Sequence, residues 1–231
     1  MLVLVGAGFL GSIFAEEAGK RLWAQDMILD WKVIDDDQFE TRNAANQNVR
    51  VSQFGPGKVH EKSHLAADTL GSYQQGTVEA VVARVDADNI NSLIPPDECE
   101  LIIDAVDNLA ARHLLWGHGI AHGIPVMHMG LSQGGTGVVE WTFGMGRDSF
   151  SMSPINMMNR PEPPAPKTLK PCELIAHRAT GFLIAHRGAV ALGHLMGLDP
   201  EGEFPDLKGQ SFATTWQVSD LGVKLLDTFE L

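Results

Sequence analysis

The sequence has little of what builds a cross-linked or membrane-embedded protein. It contains two cysteines and one tyrosine in 231 residues, and aromatic residues make up only 7% of the chain. Two cysteines cannot form a disulfide framework, and without a Cys-x-x-Cys pair a four-thiolate zinc site is excluded. No apolar run approaches the ~20 residues that a membrane span requires. We therefore expect a reduced, cytoplasmic protein that is held together by its hydrophobic core.

Positive charge is also scarce. The chain has 17 Lys and Arg residues against 29 Asp and Glu residues, which gives a formal net charge of -12. An acidic surface repels the phosphates of nucleic acids and of anionic lipids, so either partner would need a local basic patch. The sequence shows no such patch, and we expect neither a nucleic acid nor a membrane as partner.

What the sequence does contain is an alternation of short apolar runs with helical periodicity. Its start, residues 1–5, is apolar without a basic region before it, which favours a strand over a signal peptide. Strands are predicted at 2–5, 31–34, 77–85, 100–103, 124–129 and 137–142, and helices at 9–23, 56–70 and 108–122. This alternation predicts an α/β fold with a doubly wound, Rossmann-like and mostly parallel sheet over residues 1–143.

The second part of the chain has a different character. Residues 144–172 are rich in methionine and proline, which predicts a long crossover-type loop. Residues 173–196 have a helical pattern, and a strand is predicted at 211–218. We expect residues 173–231 to complete the same domain as a C-terminal extension of mixed strands and one long helix.

A glycine-rich loop follows the first predicted strand. Gly6, Gly8 and Gly11 form a G-x-G-x-x-G pattern that opens a helix, so backbone N–H groups and a helix N-terminus can face a phosphate. Asp35 ends the second strand, where its carboxylate can accept hydrogen bonds from ribose hydroxyls. NAD and ATP both carry that ribose, so these two features do not distinguish the two nucleotides.

The polar segments that follow distinguish ATP from NAD better than these two features do. Asp35 and Asp37 form D-x-D, and Asn43 and Gln47 come next, all of them before Gly55-Pro56-Gly57-Lys58. Later the chain has Asp104-Ala105-Val106-Asp107-Asn108, with Arg112 behind it. In this order of motifs the sequence resembles the ThiF/MoeB/HesA superfamily, the adenylating proteins similar to ubiquitin-activating enzymes. The resemblance covers roughly residues 1–143 and extends more loosely over the rest.

The resemblance implies an activity, its cofactors and its partners. Members adenylate a carboxylate with ATP, which here implies the C-terminus of a ubiquitin-like or sulfur-carrier protein that docks over the methionine- and proline-rich loop of a homodimer. Gly6, Gly8 and Gly11 would bind phosphate, Asp35 and Asp37 the ribose side, and Asn43, Gln47 and Asn108 would complete the ATP site. Lys58 would neutralise phosphate charge, and Asp107 would hold Mg²⁺, which prefers hard oxygen ligands.

The sequence departs from the family pattern at its cationic positions. The family's arginine three residues after the asparagine is replaced here by Asn46, and Arg42 stands where the family has serine. The resemblance implies that Arg42 or Arg50 supplies the displaced charge. Cys172 stands about where thioester- or persulfide-forming members keep their cysteine, although the residues after it differ from theirs, and an inert cysteine at a helix start is an open alternative.

Three other functions remain open at this point. A noncatalytic nucleotide- or partner-binding module would explain the displaced arginine. An NAD-dependent oxidoreductase would use the glycine loop and Asp35 but would leave Lys58 and Asp107 without a role. Residues 60–64, His-Glu-Lys-Ser-His, match the zinc peptidase pattern H-E-x-x-H, which needs both histidines on one helix. Their polar surroundings favour surface histidines over a zinc site.

Overall fold

A computed structural model describes most of the chain. The described residues are 1–40, 43, 47, 60–131, 136–142, 171–196, 212–219 and 222–230. They form five helices and eight strands in the order β1 (Leu2–Val5), α1 (Phe9–Trp23), β2 (Trp31–Ile34), α2 (Lys62–Gly71), β3 (Val78–Val81), α3 (Ile90–Leu93), β4 (Leu101–Asp104), α4 (Leu109–His122), β5 (Val126–Leu131), β6 (Thr136–Thr142), α5 (Pro171–Leu195), β7 (Phe212–Ser219) and β8 (Gly222–Glu230).

These strands form one sheet with the order β3-β2-β1-β4-β5-β6-β7-β8. The first five run parallel, and β6, β7 and β8 each pair antiparallel with the strand before them. The predicted α/β fold with a doubly wound, mostly parallel sheet is therefore confirmed. The strand order reverses beside β1, because β2 lies on one side of it and β4 on the other. In open α/β sheets such a reversal leaves a crevice at the carboxyl ends of the strands, where ligands bind.

Alternating side chains of the parallel strands pack into two hydrophobic cores. Leu2 and Leu4 of β1 face the layer that includes α1, α2 and α5, whereas Val3 and Val5 face the other core. All four side chains are buried, as expected for a strand with helices on both faces of the sheet. This packing holds the ends of β1, β2 and β4 in register, with Val5 opposite both Ile34 and Asp104.

Two helix starts near these strand ends are each defined by a hydrogen bond. The side-chain oxygen of Asn108 accepts a hydrogen bond from the Ala111 N–H at 2.8 Å and so caps α4. Helix α2 begins at Lys62, whose backbone N–H donates to the Asp37 carbonyl at 3.0 Å. Both contacts bring a helix N-terminus to the carboxyl edge of the sheet.

The start of α2 removes the geometry that a zinc peptidase needs. Glu61 is extended, with φ -72° and ψ 135°, and forms a bridge with Gln38, so His60 precedes the helix and only His64 lies on it. Within the ranges given above, no cluster of three or more His, Cys, Asp or Glu side chains suits a metal ion. The structure therefore does not support the zinc interpretation.

Several element bounds differ from the sequence prediction. The third strand is shorter than predicted, Val78–Val81 in place of 77–85, and the second helix begins at Lys62. Strand β8 and the short helix α3 were not predicted. None of the helices in the described part of the chain combines the length and the hydropathy of a membrane span.

Candidate functional site

A cavity of about 670 Å³ lies at the carboxyl ends of β1, β2, β3 and β4. That volume is in the range of small-molecule binding sites. The polar residues that line it come from separate parts of the chain and include Asp35, Asp36, Asp37, Asn43, Gln47, Lys62, Arg84, Asp107, Asn108 and Arg112, together with Gly6 and Gly8. The cavity therefore brings together most of the residues that the motifs predicted.

The glycine loop forms the floor of this cavity. Gly6 has φ +90°, and a Cβ there would lie 2.8 Å from the Ala105 carbonyl group, so only glycine fits against β4. A Cβ on Gly11 would overlap the Gly6 carbonyl oxygen. Gly8 is different, since a Cβ there would have no neighbour within 4 Å. Gly6 and Gly11 are thus needed for packing, whereas Gly8 leaves space above the N-terminus of α1.

Asp35 connects this loop to the end of β2. Its Oδ2 accepts a hydrogen bond from the Ala7 N–H at 2.6 Å, and its Oδ1 accepts one from the Asp37 N–H at 2.8 Å. Burial raises the pKa of Asp35, and these two hydrogen bonds oppose that rise because they stabilise the carboxylate. The carboxylate keeps acceptor capacity beyond these two bonds, which a ribose hydroxyl can use.

A buried lysine lies beside this carboxylate. Lys62 is the first residue of α2, and its side chain is only 10% exposed. A cation at a helix N-terminus is unfavourable because the helix dipole is positive there, and burial adds a desolvation cost. Asp37 offsets both costs, since its Oδ2 lies 2.6 Å from the Lys62 Nζ. A lysine kept in such a place is suited to bind an anion in the cavity.

Asn43 and Gln47 line the same cavity from the segment after β2. The Asn43 side-chain oxygen accepts a hydrogen bond from the Glu40 N–H at 2.7 Å, and the Gln47 N–H donates to the Asn43 carbonyl at 2.8 Å. With its oxygen used in this way, the Asn43 amide group presents its NH₂ as a donor. Both residues thus lie at the cavity, and their contact with a nucleotide stays a prediction.

A buried network holds the turn between β4 and α4. Asp104 is fully buried, and its Oδ2 lies 2.9 Å from Arg112 Nη1 and 2.6 Å from His128 Nδ1. Arg112 Nη2 also donates to the carbonyls of Val106 and Met129. Burial alone would raise the pKa of Asp104, but Arg112 and the hydrogen bonds from His128 and the Val106 N–H hold it below its usual value. Asp107 lies in this turn. Arg112 therefore fixes the turn to β5, because it donates to carbonyl oxygens of both.

The turn presents Asp107 at the mouth of the cavity. Asp107 and Asn108 are exposed and line it, and Asn108 also caps α4. Mg²⁺ is usually held by one or two carboxylates, with water and substrate phosphates as its other ligands. An exposed carboxylate beside the glycine loop fits that donor set, so Asp107 is the residue that would hold the ion.

Some predicted site residues cannot be placed. Lys58, Arg42 and Arg50 lie outside the described residues. Cys172 is the second residue of α5, so it lies in the first turn of that helix and not before it. Asp37, expected on the ribose side, contacts Lys62 instead.

Sequence reasoning missed two cations of the cavity, Lys62 and Arg84. Lys62 carried no usable signal, because the predicted helix 56–70 placed it inside the helix and not at its start. Arg84 carried none, because its position depends on β3 lying beside β2.

The chain is similar to several known proteins. The chain is 28% identical over 172 residues to the SAMP-activating enzyme E1 of Haloferax volcanii. The aligned region covers 74% of this chain and 57% of that protein. Among solved structures, PaaA resembles it with a TM-score of 0.64, 18% identity and coverage of 100% of this chain and 64% of the other. Escherichia coli MccB, solved with AMPCPP and MccA, has a TM-score of 0.61, 13% identity and coverage of 99% and 63%.

The chain thus spans less than two thirds of the length of each of these three proteins. At 18% and 13% identity, the two structural matches show a shared fold. The family comparison extends further along this chain, because the ThiF family profile matches residues 1–196, which include every strand of the parallel sheet and all five helices. On that match, the chain belongs to the ThiF family.

Proposed function

We propose that the protein adenylates a carboxylate with ATP and releases pyrophosphate. The observation that carries the proposal is Lys62, a buried cation at a helix N-terminus that lines the same cavity as the glycine loop. Adenylation needs a cation there, because negative charge builds up on the phosphates as pyrophosphate leaves. The nucleotide-binding half would be residues 1–143, with 144–172 as a connecting loop and 173–231 completing the domain.

The reaction needs the two reactants to be aligned and the phosphate charge to be neutralised. A carboxylate oxygen attacks the α-phosphorus, the bond to the bridging oxygen breaks, and pyrophosphate leaves with that electron pair while an acyl-adenylate forms. Gly8 and the N-terminus of α1 would bind phosphate, and Asp35 would hold the ribose. Lys62 would neutralise negative charge on the leaving phosphates, and Mg²⁺ bound at Asp107 would neutralise more of it.

Two further groups would complete the phosphate site. Asn43 and Gln47 both line the cavity, and the Asn43 side-chain oxygen already accepts a hydrogen bond from the Glu40 N–H. Both would donate hydrogen bonds to phosphate oxygens. Arg42 or Arg50 would supply the charge that Asn46 does not, since arginine binds phosphate oxygens in bidentate fashion.

The carboxylate substrate is proposed from the relatives. The Haloferax protein is named for activating SAMP, and MccB was solved with MccA. We infer that the substrate here is the C-terminus of a small ubiquitin-like or sulfur-carrier protein, and that the enzyme is a cytoplasmic homodimer. The Cys172 thiolate would attack the acyl-adenylate and form a thioester with release of AMP. Alternatively, after receiving a sulfane sulfur from a persulfide donor, it would attack through the terminal sulfur of its persulfide, again with release of AMP.

The test is ATP–pyrophosphate isotope exchange with candidate carriers whose sequences end in Gly-Gly. Lys62→Ala is expected to lower the exchange rate by about 10²-fold, as for other groups that stabilise transition-state charge. Lys20→Ala is the matched control, because Lys20 pairs with Glu16 and Glu17 on the surface of α1. Exchange that survives Lys62→Ala at the rate of the control would refute the role of Lys62. Cys172→Ser should keep exchange but lose any covalent adduct.

A noncatalytic nucleotide- or partner-binding module is the second candidate, and Asn46 in place of the family arginine favours it. Magnesium-dependent ATP binding without exchange, measured with a carrier that binds the protein, would support this candidate over the enzyme. Tight NADH binding in the same titration would instead support the oxidoreductase.

A further inference from the structure

Arg84 differs from the other cations that line the cavity. Lys62 is paired with Asp37, and Arg112 is paired with Asp104. The Arg84 side chain is exposed and lines the cavity, and no other residue that the structure describes pairs with its guanidinium group. It is therefore available to bind a ligand without first giving up a partner.

The backbone around Arg84 is fixed by side-chain hydrogen bonds. Its carbonyl accepts a hydrogen bond from Asn89 Nδ2 at 2.9 Å. Asp86 Oδ1 accepts bonds from the N–H groups of Asp88 and Asn89, and Asn89 Oδ1 accepts one from the Asp86 N–H. This closed turn leads into α3 and holds the Arg84 Cα in place. Only the side chain has to be ordered when a ligand binds, which lowers the entropic cost of binding.

The strand order decides which part of a nucleotide Arg84 can reach. It follows β3, and β2 separates β3 from β1. Adjacent strands are ~4.8 Å apart, so the end of β3 lies roughly 10 Å from the glycine loop at the end of β1. Asp107 lies on the opposite side of that loop, after β4. A nucleotide with its phosphates between the glycine loop and Asp107, and its ribose at Asp35, must direct its base toward β3.

We propose that Arg84 binds the nucleobase, with its planar guanidinium group stacked on the ring. Arginine stacks well on aromatic faces, and a purine offers a larger face than a pyrimidine. The proposal rests on the nucleotide site argued above and adds a residue that selects for the base. Arg84 is therefore a binding residue that discriminates among nucleotides and takes no part in the chemical step.

The test compares two ligands that share a base but differ in phosphates, ATP and AMP, with a third that has a different base, CTP. The full-length protein is titrated calorimetrically with Mg²⁺·ATP, AMP and Mg²⁺·CTP, and the same is done for Arg84→Ala and Arg84→Lys. Arg178→Ala is the matched control, since Arg178 is exposed on α5 and is not among the cavity residues. Thermal unfolding verifies that each variant is folded.

We expect Arg84→Ala to raise Kd for ATP and for AMP by the same factor, about 2- to 5-fold, as for an exposed cation–π contact. The effect on CTP should be smaller. Arg84→Lys should recover only part of the affinity lost in Arg84→Ala, because lysine keeps the charge but not the planar group that stacks on the base.

Three results would overturn the inference while leaving the nucleotide site intact. One is AMP binding unchanged in Arg84→Ala. Another is a loss confined to ATP and CTP, which would assign Arg84 to the phosphates. The third is full rescue by Arg84→Lys. If the wild-type protein binds none of the three nucleotides, the proposed function itself fails, and this inference fails with it.

Discussion

The Asp35 carboxylate accepts a hydrogen bond from the Ala7 N–H at 2.6 Å, across 28 positions of sequence. The residue proposed to hold the ribose therefore also holds the loop proposed to bind the phosphates. The second oxygen of Asp35 is used as well, by the Asp37 N–H, so the carboxylate fixes both segments that enclose the nucleotide. A substitution at Asp35 is expected to act on the ligand directly and through the loop.

Asp35→Ala is expected to weaken nucleotide binding by about 10- to 100-fold, because it removes the ribose acceptor and leaves two N–H groups without their partner. Calorimetric titration with Mg²⁺·ATP measures this change. The pKa of Asp35 is raised by burial, so wild-type affinity should also fall as the pH drops through that pKa, and the fall should be absent from Asp35→Ala. Equal pH profiles in the two proteins would contradict the assignment.

Gly8→Ala should separate binding from folding. A Cβ at Gly8 has no protein neighbour within 4 Å, so the fold should tolerate it, but the methyl group would occupy space where a phosphate would bind. We expect little change in thermal unfolding and a loss of Mg²⁺·ATP binding.

Gly117→Ala is the matched control for Gly8→Ala. Gly117 lies inside α4, and a Cβ there also has no neighbour within 4 Å. This variant should gain about 0.5–1 kcal/mol from helix propensity and should bind nucleotide normally. Normal binding by Gly8→Ala would show that phosphate does not approach this glycine.

Asp104→Asn should destabilise the fold by about 3–5 kcal/mol, because it leaves the Arg112 guanidinium group buried without its counter-charge. Denaturant unfolding at pH 7 measures this loss. Asp68→Asn is the control, since Asp68 is an exposed carboxylate on α2, and such substitutions stay within about 0.5 kcal/mol.

The pH dependence of unfolding tests the same pair. The pKa of Asp104 is lowered in the folded state, so its contribution is fully present above the unfolded pKa of about 3.9 and is lost as the pH falls through the lower, folded pKa. Below pH 4 the wild-type protein should therefore lose stability more steeply than Asp104→Asn. Parallel acid profiles would show that the pKa of Asp104 is not lowered in the folded state.

Cys99 should resist alkylation in the native protein. Burial raises the pKa of its thiol to about 11, and its Sγ lies 3.5 Å from the Leu101 carbonyl oxygen. At pH 8 roughly 0.1% of such a thiol is ionised, and the thiolate is the reactive form. Peptide mass mapping after iodoacetamide treatment should find Cys99 unmodified until the protein is unfolded. Rapid native labelling of Cys99 would contradict the burial described above.

Much of the fold could be predicted because its signals are local. The bounds of α1, residues 9–23, were predicted as they occur, since the glycine loop marks its start and the apolar stripe its length. The start of α2 could not be predicted, because it is set by the Gln38–Glu61 bridge and by the Lys62 contact to the Asp37 carbonyl. Both contacts join residues more than 20 positions apart. Strand β8 was missed although its pairing is local, since it forms a hairpin with β7 in which Ser219 lies opposite Gly222.

In the candidate site, only the residues that belong to recognised motifs could be predicted. Asn43, Gln47 and Asp107 were placed by family spacing and do line the cavity. His128 and Arg112 needed the structure, since their common partner Asp104 lies 24 and 8 positions away. The lysine assigned from the motif is Lys58, which lies outside the described residues, so its role stays a prediction. Lys62 is a second lysine, which the structure brings to the cavity.

The pairing of Lys62 with Asp37 has a thermodynamic consequence. Asp37 is 68% exposed, whereas Lys62 is 10% exposed, so the carboxylate is the partner that water can reach when the pair separates. A phosphate that takes over Lys62 therefore leaves Asp37 negatively charged beside the anion. The local negative charge then increases as the nucleotide enters, which raises the affinity of the cavity for a divalent cation. By reciprocal linkage the cation raises the affinity for the nucleotide equally, so we expect the two to bind as a cooperative pair.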